Sequence, residues 1–311
     1  MKSIWVASLL IMLACAATPL HAQLTYERLL KAEQDPGNWL TYSGSYRGWR
    51  YSPLSQMTRE NVRKLKLKWV YQMQTTHTVE TTPLVADGVM YFTEPPSNVV
   101  AVDAATGRQF WRYRRVMPKK VNVCCGQVNR GVAVLGDRVF VGTGDAHLLA
   151  LDAKTGAVLW DVEVADYRTG YSVTVAPLIV KDMVICGISG GEYGIRGFLD
   201  AYDAASGKRR WRHWTIPAPG EPGSETWPGD SWKTGGAPTW VTGSFDPEQN
   251  LIIWGTGNPS PVWNGENRKG DNLYSDSTIA LDADTGKLKW YFQHVPHDVH
   301  DWDSVQVPVL V

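Results

Sequence analysis

The sequence predicts an all-β chain built from a repeated hairpin, and three observations carry that expectation. A segment of eleven residues recurs four times without gaps, Gly and Trp number 29 and 15 in 311 residues, and short apolar runs bounded by turn residues fill the intervals. Abundant Gly serves tight turns, and large flat indoles fill the space between stacked sheets. The intervals lack the 3.6-residue apolar period of a helix, which excludes leucine-rich and helical solenoids.

The copies are AVDAATGRQFW (101–111), ALDAKTGAVLW (150–160), AYDAASGKRRW (201–211) and ALDADTGKLKW (280–290). In each, an alternating apolar stretch runs into Asp103, Asp152, Asp203 or Asp282. A Thr or Ser follows, then Gly107, Gly156, Gly207 or Gly286, and four residues later Trp111, Trp160, Trp211 or Trp290. Asp bonds nearby backbone N–H groups and Gly accepts positive φ, so the centre of each copy is a turn. The Trp opens the next strand, where it can stack on a neighbouring unit. Spacings of 49, 51 and 79 residues between the Asp positions fit the blades of a β-propeller with an insertion in the last interval. A further unit is expected ahead of the first copy. LKLKWVYQM (65–73) has the same Trp-led strand, and TTPLVADGVMYFT (81–93) repeats as VAPLIVKDMVICG (175–187), which brings the count to about five blades. Residues 38–61 read as a polar, aromatic-rich lead-in packed on the outside of the propeller.

Residues 1–22 read as a secretory signal peptide, with Lys2 ahead of an apolar run from Ile4 to Ala17 and a small residue, Ala22, at the cleavage point. The run is shorter than the roughly 18 residues of a spanning helix. The expectation is therefore export to the periplasm, no membrane span after signal removal, and a propeller domain over 23–311. That domain is expected to be incomplete at its C-terminus, because the sequence stops at Val311 in an unfinished apolar strand. Thirty-one basic and thirty-one acidic residues cancel. Balanced charge removes the electrostatic argument for nucleic acid or an anionic membrane as partner and suits a small neutral substrate. Cys124, Cys125 and Cys186 are too few for a disulfide scaffold, so packing must hold the core.

Four segments carry residues with chemical potential: VNVCCGQVNRG (121–131), SVTVAPLIVKDMVICGISGGEYGIRG (172–197), WKTGGAPTWVTGSFDPEQNLIIWGTGNPSP (232–261) and HVPHDVHDWDSVQVPVLV (294–311). The Cys124-Cys125 pair is the most unusual feature. Neighbouring Cα atoms lie about 3.8 Å apart, below the usual disulfide range, so a ring closed there is strained. Read alone, the pair is either such a ring, of a kind kept for a use, or two reduced cysteines on opposite faces of a strand. An isolated Glu in a Gly-rich turn is ordinarily solvated, a Trp is ordinarily core, and Asn before Pro is ordinarily a turn.

Together these segments resemble the pyrroloquinoline-quinone (PQQ)-dependent methanol/ethanol dehydrogenase family. The Asp-x-x-[Thr/Ser]-Gly-x-x-x-Trp repeat is likewise similar to the tryptophan-docking motif of the eight-bladed quinoprotein dehydrogenases. The resemblance implies a Cys124–Cys125 disulfide against one face of the quinone, with Trp240 stacked on the other. It implies that Arg130 faces the reactive C5 carbonyl oxygen. It also implies that Glu80, Thr174, Ser189, Gly190 and Gly191 contact the cofactor, and that Asp301 is the catalytic base. Pro238 departs from the pattern, standing where relatives often have a cofactor-contacting threonine, and whether Thr239 substitutes is open. His297 and His300 read as supporting polar residues.

The same resemblance implies that Glu192 and Asn258 bind a metal ion, Ca²⁺ or a lanthanide. Asp303 sharpens that choice. In a strand, residues two apart share a face, so Asp301 and Asp303 can approach one ion. Three carboxylates and an amide favour a trivalent lanthanide, since ligand charge tunes such oxygen sites. The expected activity is oxidation of a small primary alcohol to its aldehyde. Electrons would pass to a separate periplasmic cytochrome c, because the sequence lacks a Cys-x-x-Cys-His haem motif. A non-catalytic propeller or an inactive dehydrogenase fragment are the competing readings, and scaffolding alone does not require the cofactor constellation.

Overall fold

The computed structural model describes residues 24–311; the signal peptide expected over 1–22 lies outside the described residues. Sixteen strands form four four-stranded sheets in simple sequential order. The first blade is β1 (Leu84–Ala86), β2 (Val89–Glu94), β3 (Asn98–Asp103) and β4 (Gln109–Tyr113). The second is β5 (Ala133–Leu135), β6 (Arg138–Gly142), β7 (His147–Asp152) and β8 (Val158–Glu163). The third is β9 (Leu178–Val180), β10 (Met183–Gly187), β11 (Phe198–Asp203) and β12 (Arg209–Trp214), and the fourth is β13 (Ser244–Asp246), β14 (Leu251–Gly255), β15 (Ser277–Asp282) and β16 (Leu288–Gln293). Every neighbouring pair is antiparallel.

The repeated segment is the turn from third to fourth strand in each blade. In the second blade, Asp152 Oδ1 accepts from the Lys154 and Thr155 N–H groups and from the Thr155 hydroxyl. Gly156, at φ +74°, donates its N–H to the Asp152 carbonyl. The register slips at one place in all four blades, opposite the Trp, between Ala101 and Val102, Ala150 and Leu151, Ala201 and Tyr202, and Ala280 and Leu281. An extra residue there twists the fourth strand and re-aims the following side chain.

Three of these indoles, Trp111, Trp160 and Trp211, and Trp69 ahead of the first blade dock on the turn of the blade that follows. Trp69, Trp111, Trp160 and Trp211 donate Nε1–H to the carbonyls of Ala104, Ala153, Ala204 and Ala283, at 3.1, 2.9, 3.2 and 3.0 Å. The rings lie on Gly107, Gly156, Gly207 and Gly286, where an added Cβ would stand 2.5 to 2.9 Å from the indole. Glycine is thus required twice, for the left-handed backbone and for the close approach.

Two expectations are corrected. The structure completes four blades rather than about five: 81–93 is not a separate unit, since β2 pairs with β3 of the first repeat copy. Residues 65–73 form no strand among the described residues. Trp69, Tyr71 and Met73 pack on the first blade, while Leu65, Leu67 and Val70 are exposed. The lead-in also differs. A short helix, α1 (Tyr26–Leu30), capped by the Thr25 hydroxyl, starts a segment whose Leu24, Leu29, Leu40 and Tyr46 enter the central core. Trp39 bridges Val85 in β1, and the Phe245 N–H in β13 donates to the Tyr46 carbonyl. Apolar side chains draw 24–46 onto the first strands, and 49–57 remains exposed beyond them. No helix among the described residues is long and apolar enough to cross a membrane.

Candidate active site

In a four-stranded meander, the segment entering the first strand, the loop between second and third strands, and the exit from the fourth strand share one end. Every residue expected at the site comes from such a segment. Glu80 precedes β1, Cys124 to Arg130 precede β5, Thr174 precedes β9 and Trp240 precedes β13. Ser189 to Glu192 follow β10, Asn258 follows β14, and Asp301 and Asp303 follow β16. The topology gathers residues that are more than two hundred positions apart.

Arg130 is the centre of one half. Its Nη2 lies 2.8 Å from Glu80 Oε2, and its Nη1 donates to Thr174 Oγ1 at 2.9 Å. Thr174 Oγ1 in turn meets Ser189 Oγ at 2.5 Å. The backbones interlock as well, with Thr82 N–H donating to the Arg130 carbonyl and Arg130 N–H to the Thr174 carbonyl. The guanidinium carbon stands 4.5 Å from the centroid of the Trp240 ring. Burial pulls the Arg130 pKa down, and the Glu80 carboxylate opposes that pull.

Cys124 and Cys125 occur as separate thiols, with Cys125 at φ +65°. The structure thus does not show the disulfide that the resemblance implies. Burial, then the neighbouring Cys125 and Glu192, raise the Cys124 pKa, which places the thiol pair beside Glu192. Small residues admit the next chain: a Cβ on Gly190 would lie 2.1 Å from the Gly170 carbonyl oxygen, and one on Gly191 would lie 2.9 Å from Pro238 Cδ. Thr239 does not stand in for the threonine missing at Pro238. Its buried hydroxyl accepts from Ile188 N–H and donates to the Phe198 carbonyl.

Asn258, Asp301 and Asp303 form the other half. Asn258 Oδ1 and Asp301 Oδ1 are buried, and neither finds a hydrogen-bond partner among the described residues. Asp303 Oδ1 accepts from Asn258 N–H at 3.3 Å and from Trp240 Nε1–H at 3.4 Å. Burial, reinforced by Asp301, pushes the Asp303 carboxyl up to about 6. Burial and then Glu192 raise Asp301. The two aspartates do not share a strand face as expected. Residues 298–311 form no strand, and Asp301 and Asp303 sit at φ +61° and +51°, so two left-handed residues set their directions. Hard oxygen donors with orphaned buried oxygens fit a Ca²⁺ or lanthanide ion in chemistry. Among the described residues no three His, Cys, Asp or Glu side chains already meet at one point, and repulsion among these carboxylates holds them apart.

A family model described as the β-propeller domain of PQQ glucose/ethanol/alcohol dehydrogenases matches residues 39–311. The chain belongs to this family. Within it, the quinoprotein alcohol dehydrogenase PedH of Pseudomonas putida is 41% identical over 98% of this chain and 54% of its own length. The lanthanide-dependent methanol dehydrogenase of Methylacidiphilum fumariolicum is 38% identical over 91% of this chain and 50% of its own. The solved structure of quinohemoprotein alcohol dehydrogenase ADHIIG from Pseudomonas putida matches with a TM-score of 0.86 at 40% identity, covering 91% of this chain and 44% of that one. The chain thus spans about half the length of the curated relatives it matches.

Around these residues lie others that sequence reasoning missed. Asp298 is buried and accepts from His300 and Trp302 N–H groups, bracketing Asp301. Asp276 is buried, accepts from Ser304 N–H, and is pushed up to about 7 by burial. Arg268 is fully buried between the two loops. Asp298 lies in the same 294–311 segment as Asp301; for Asp276 and Arg268 no local signal exists.

Proposed function

We propose that this chain forms the cofactor- and ion-binding part of a periplasmic alcohol dehydrogenase that oxidises a primary alcohol to an aldehyde and passes electrons to a cytochrome c. The carrying observation is that Asn258 and Asp301 each present an unpartnered buried oxygen at the propeller end that also holds Arg130 and Trp240. Bound PQQ supplies the two-electron acceptor for the carbinol hydride, and the ion supplies Lewis acidity at its carbonyl.

The protein residues do the rest. Trp240 gives a flat apolar face for a planar ring, and the Arg130 guanidinium supplies fixed positive charge at the same place. Asp301 takes the proton of the alcohol hydroxyl through its free oxygen. Glu192, Asn258, Asp301 and Asp303 would hold the ion, and their three carboxylates favour a lanthanide over Ca²⁺. Exchange of the Cys124 and Cys125 thiols with an external disulfide, which takes up the two electrons and two protons and leaves as its dithiol, would join them into a vicinal disulfide with one apolar face for the ring.

PQQ titration of the purified protein with Ca²⁺ or La³⁺, followed by absorbance and by dye-linked alcohol oxidation, tests this reading. Binding with alcohol-dependent dye reduction is expected, with Asp301→Asn retaining PQQ but losing turnover. Retained turnover in that variant would place the base elsewhere, and equal activity with both metals would remove the lanthanide preference.

A further inference from the structure

The loop between β14 and β15 carries Asn258 at its start, and the segment after β16 carries Asp301 and Asp303. One side chain ties the two together. Arg268 has no exposed surface. Its Nε and Nη2 donate to the Pro261 carbonyl at 3.2 and 3.0 Å, and Nη2 also reaches the Val262 carbonyl at 3.3 Å. Nη1 donates to Asn272 Oδ1 at 2.7 Å, and Nη2 closes on the Asp298 carbonyl.

Burying a guanidinium costs several kcal/mol unless its donors are satisfied. Here they are satisfied by carbonyls and an amide, with no salt-bridging carboxylate among the described residues. The carbonyls are not random. Pro261 and Val262 lie three and four residues beyond Asn258, and Asp298 lies three residues before Asp301. The Asp298 carboxylate then holds the His300 and Trp302 N–H groups on either side of Asp301. A rigid planar fork spans two chains at fixed spacing, which a point ammonium cannot do.

We propose that Arg268 is a positioning residue for the ion site, fixing the distance between Asn258 and the Asp301–Asp303 pair by bonding the carbonyls of both loops at once. This rests on the reading of those residues as ion ligands. Groups behind a metal ligand commonly change affinity by about 10- to 100-fold when altered, without touching the ion.

The test is Tb³⁺ titration of the full chain, read as luminescence sensitised through Trp240, in wild type, Asn258→Ala and Arg268→Lys. Lifetimes in H₂O and D₂O report the water bound to the ion, and far-UV circular dichroism and thermal midpoint report folding. Saturable binding is expected in wild type and its loss in Asn258→Ala. Arg268→Lys, folded at the titration temperature, should bind about 10-fold or more weakly, and its ion should carry additional water as protein ligands fall out of reach. Rescue of Arg268→Gly by added guanidinium would support the same conclusion. A wild type without saturable emission sinks the ion site itself and Arg268 with it. A wild type that binds beside an Arg268→Lys with equal affinity and hydration sinks only the positioning role. Collapse of the fold in both Arg268 variants also overturns it, because Arg268 would then be a general core residue.

Discussion

Arg130 lies over the Trp240 ring at 4.5 Å from guanidinium carbon to centroid, while Glu80 holds the far side of the same guanidinium at 2.8 Å. The pair offers a flat apolar surface and a fixed positive charge within one contact. Removing each should therefore fail differently. Trp240→Ala deletes a stacking surface worth about 1 kcal/mol or somewhat more, so PQQ affinity should fall about 10-fold with turnover of the loaded protein less affected. Arg130→Lys keeps charge but loses the planar fork, and turnover should fall by about 100-fold or more if the guanidinium stabilises developing negative charge. Absorbance titration gives the first quantity and dye-linked kinetics at saturating PQQ the second. A Trp240→Ala protein with wild-type PQQ affinity would show that the indole is not a cofactor face.

The blade junctions give a prediction that depends on no ligand. Gly156 and Gly136 both have positive φ, at +74° and +61°, yet a Cβ on Gly156 would meet Trp111 at 2.6 Å whereas one on Gly136 meets nothing within 4 Å. Gly136→Ala should cost about 1 to 2 kcal/mol for its left-handed backbone. Gly156→Ala adds overpacking against the docked indole, for a total of about 3 kcal/mol or more. Denaturant midpoints of the two variants separate the terms, and equal midpoints would mean that the indole stacking does not hold the blades together.

That contrast also explains how much was legible in the sequence. The Asp, Gly and Trp of each turn sit within eleven residues, and their partner is always the next turn, so the repeat exposes both blade geometry and blade order. The blade count went astray because the first two strands of a blade precede its motif. Nothing in 81–93 says whether it closes an earlier unit or opens its own; only the pairing of β2 with β3 decides. At the site, resemblance named the residues, but the directions of Asp301 and Asp303 come from left-handed backbone at non-glycine positions. No residue type announces that. Arg268 and Asp276 were invisible for a different reason: a charged residue in a polar loop looks solvated until a segment some thirty residues later packs over it.

His213 supplies a pH dependence remote from the ligands. Burial pushes its imidazole from 6.5 down to about 4, so the folded chain holds it neutral where the unfolded chain begins to take up a proton. Stability from this group is full above about pH 6.5 and is lost as pH falls toward 4, because the unfolded state binds more protons in that window. The loss is at most about 3 kcal/mol and is reduced by the imidazole's partial exposure. His213→Asn should flatten the stability curve between those limits while leaving it unchanged above pH 7. Parallel acid sensitivity in variant and wild type would assign the effect to other groups.

Gly255 and Gly257 flank the path of the segment that carries the aspartates, and they should respond to the same substitution in opposite ways. A Cβ on Gly257 would stand 2.5 Å from Asp303 Oδ1, the end of a side chain, whereas one on Gly255 would stand 2.6 Å from the Val305 backbone. Side-chain ends can move and backbone cannot. Gly257→Ala should therefore cost little stability, about 1 kcal/mol, yet displace Asp303 and weaken Tb³⁺ binding about 10-fold. Gly255→Ala should cost about 3 kcal/mol by lifting the segment off β14, with a smaller effect on affinity in the fraction that stays folded. Thermal midpoints and Tb³⁺ titrations on the same two preparations check both halves. If Gly257→Ala binds the ion as wild type does, the oxygen of Asp303 nearest that glycine is not a ligand.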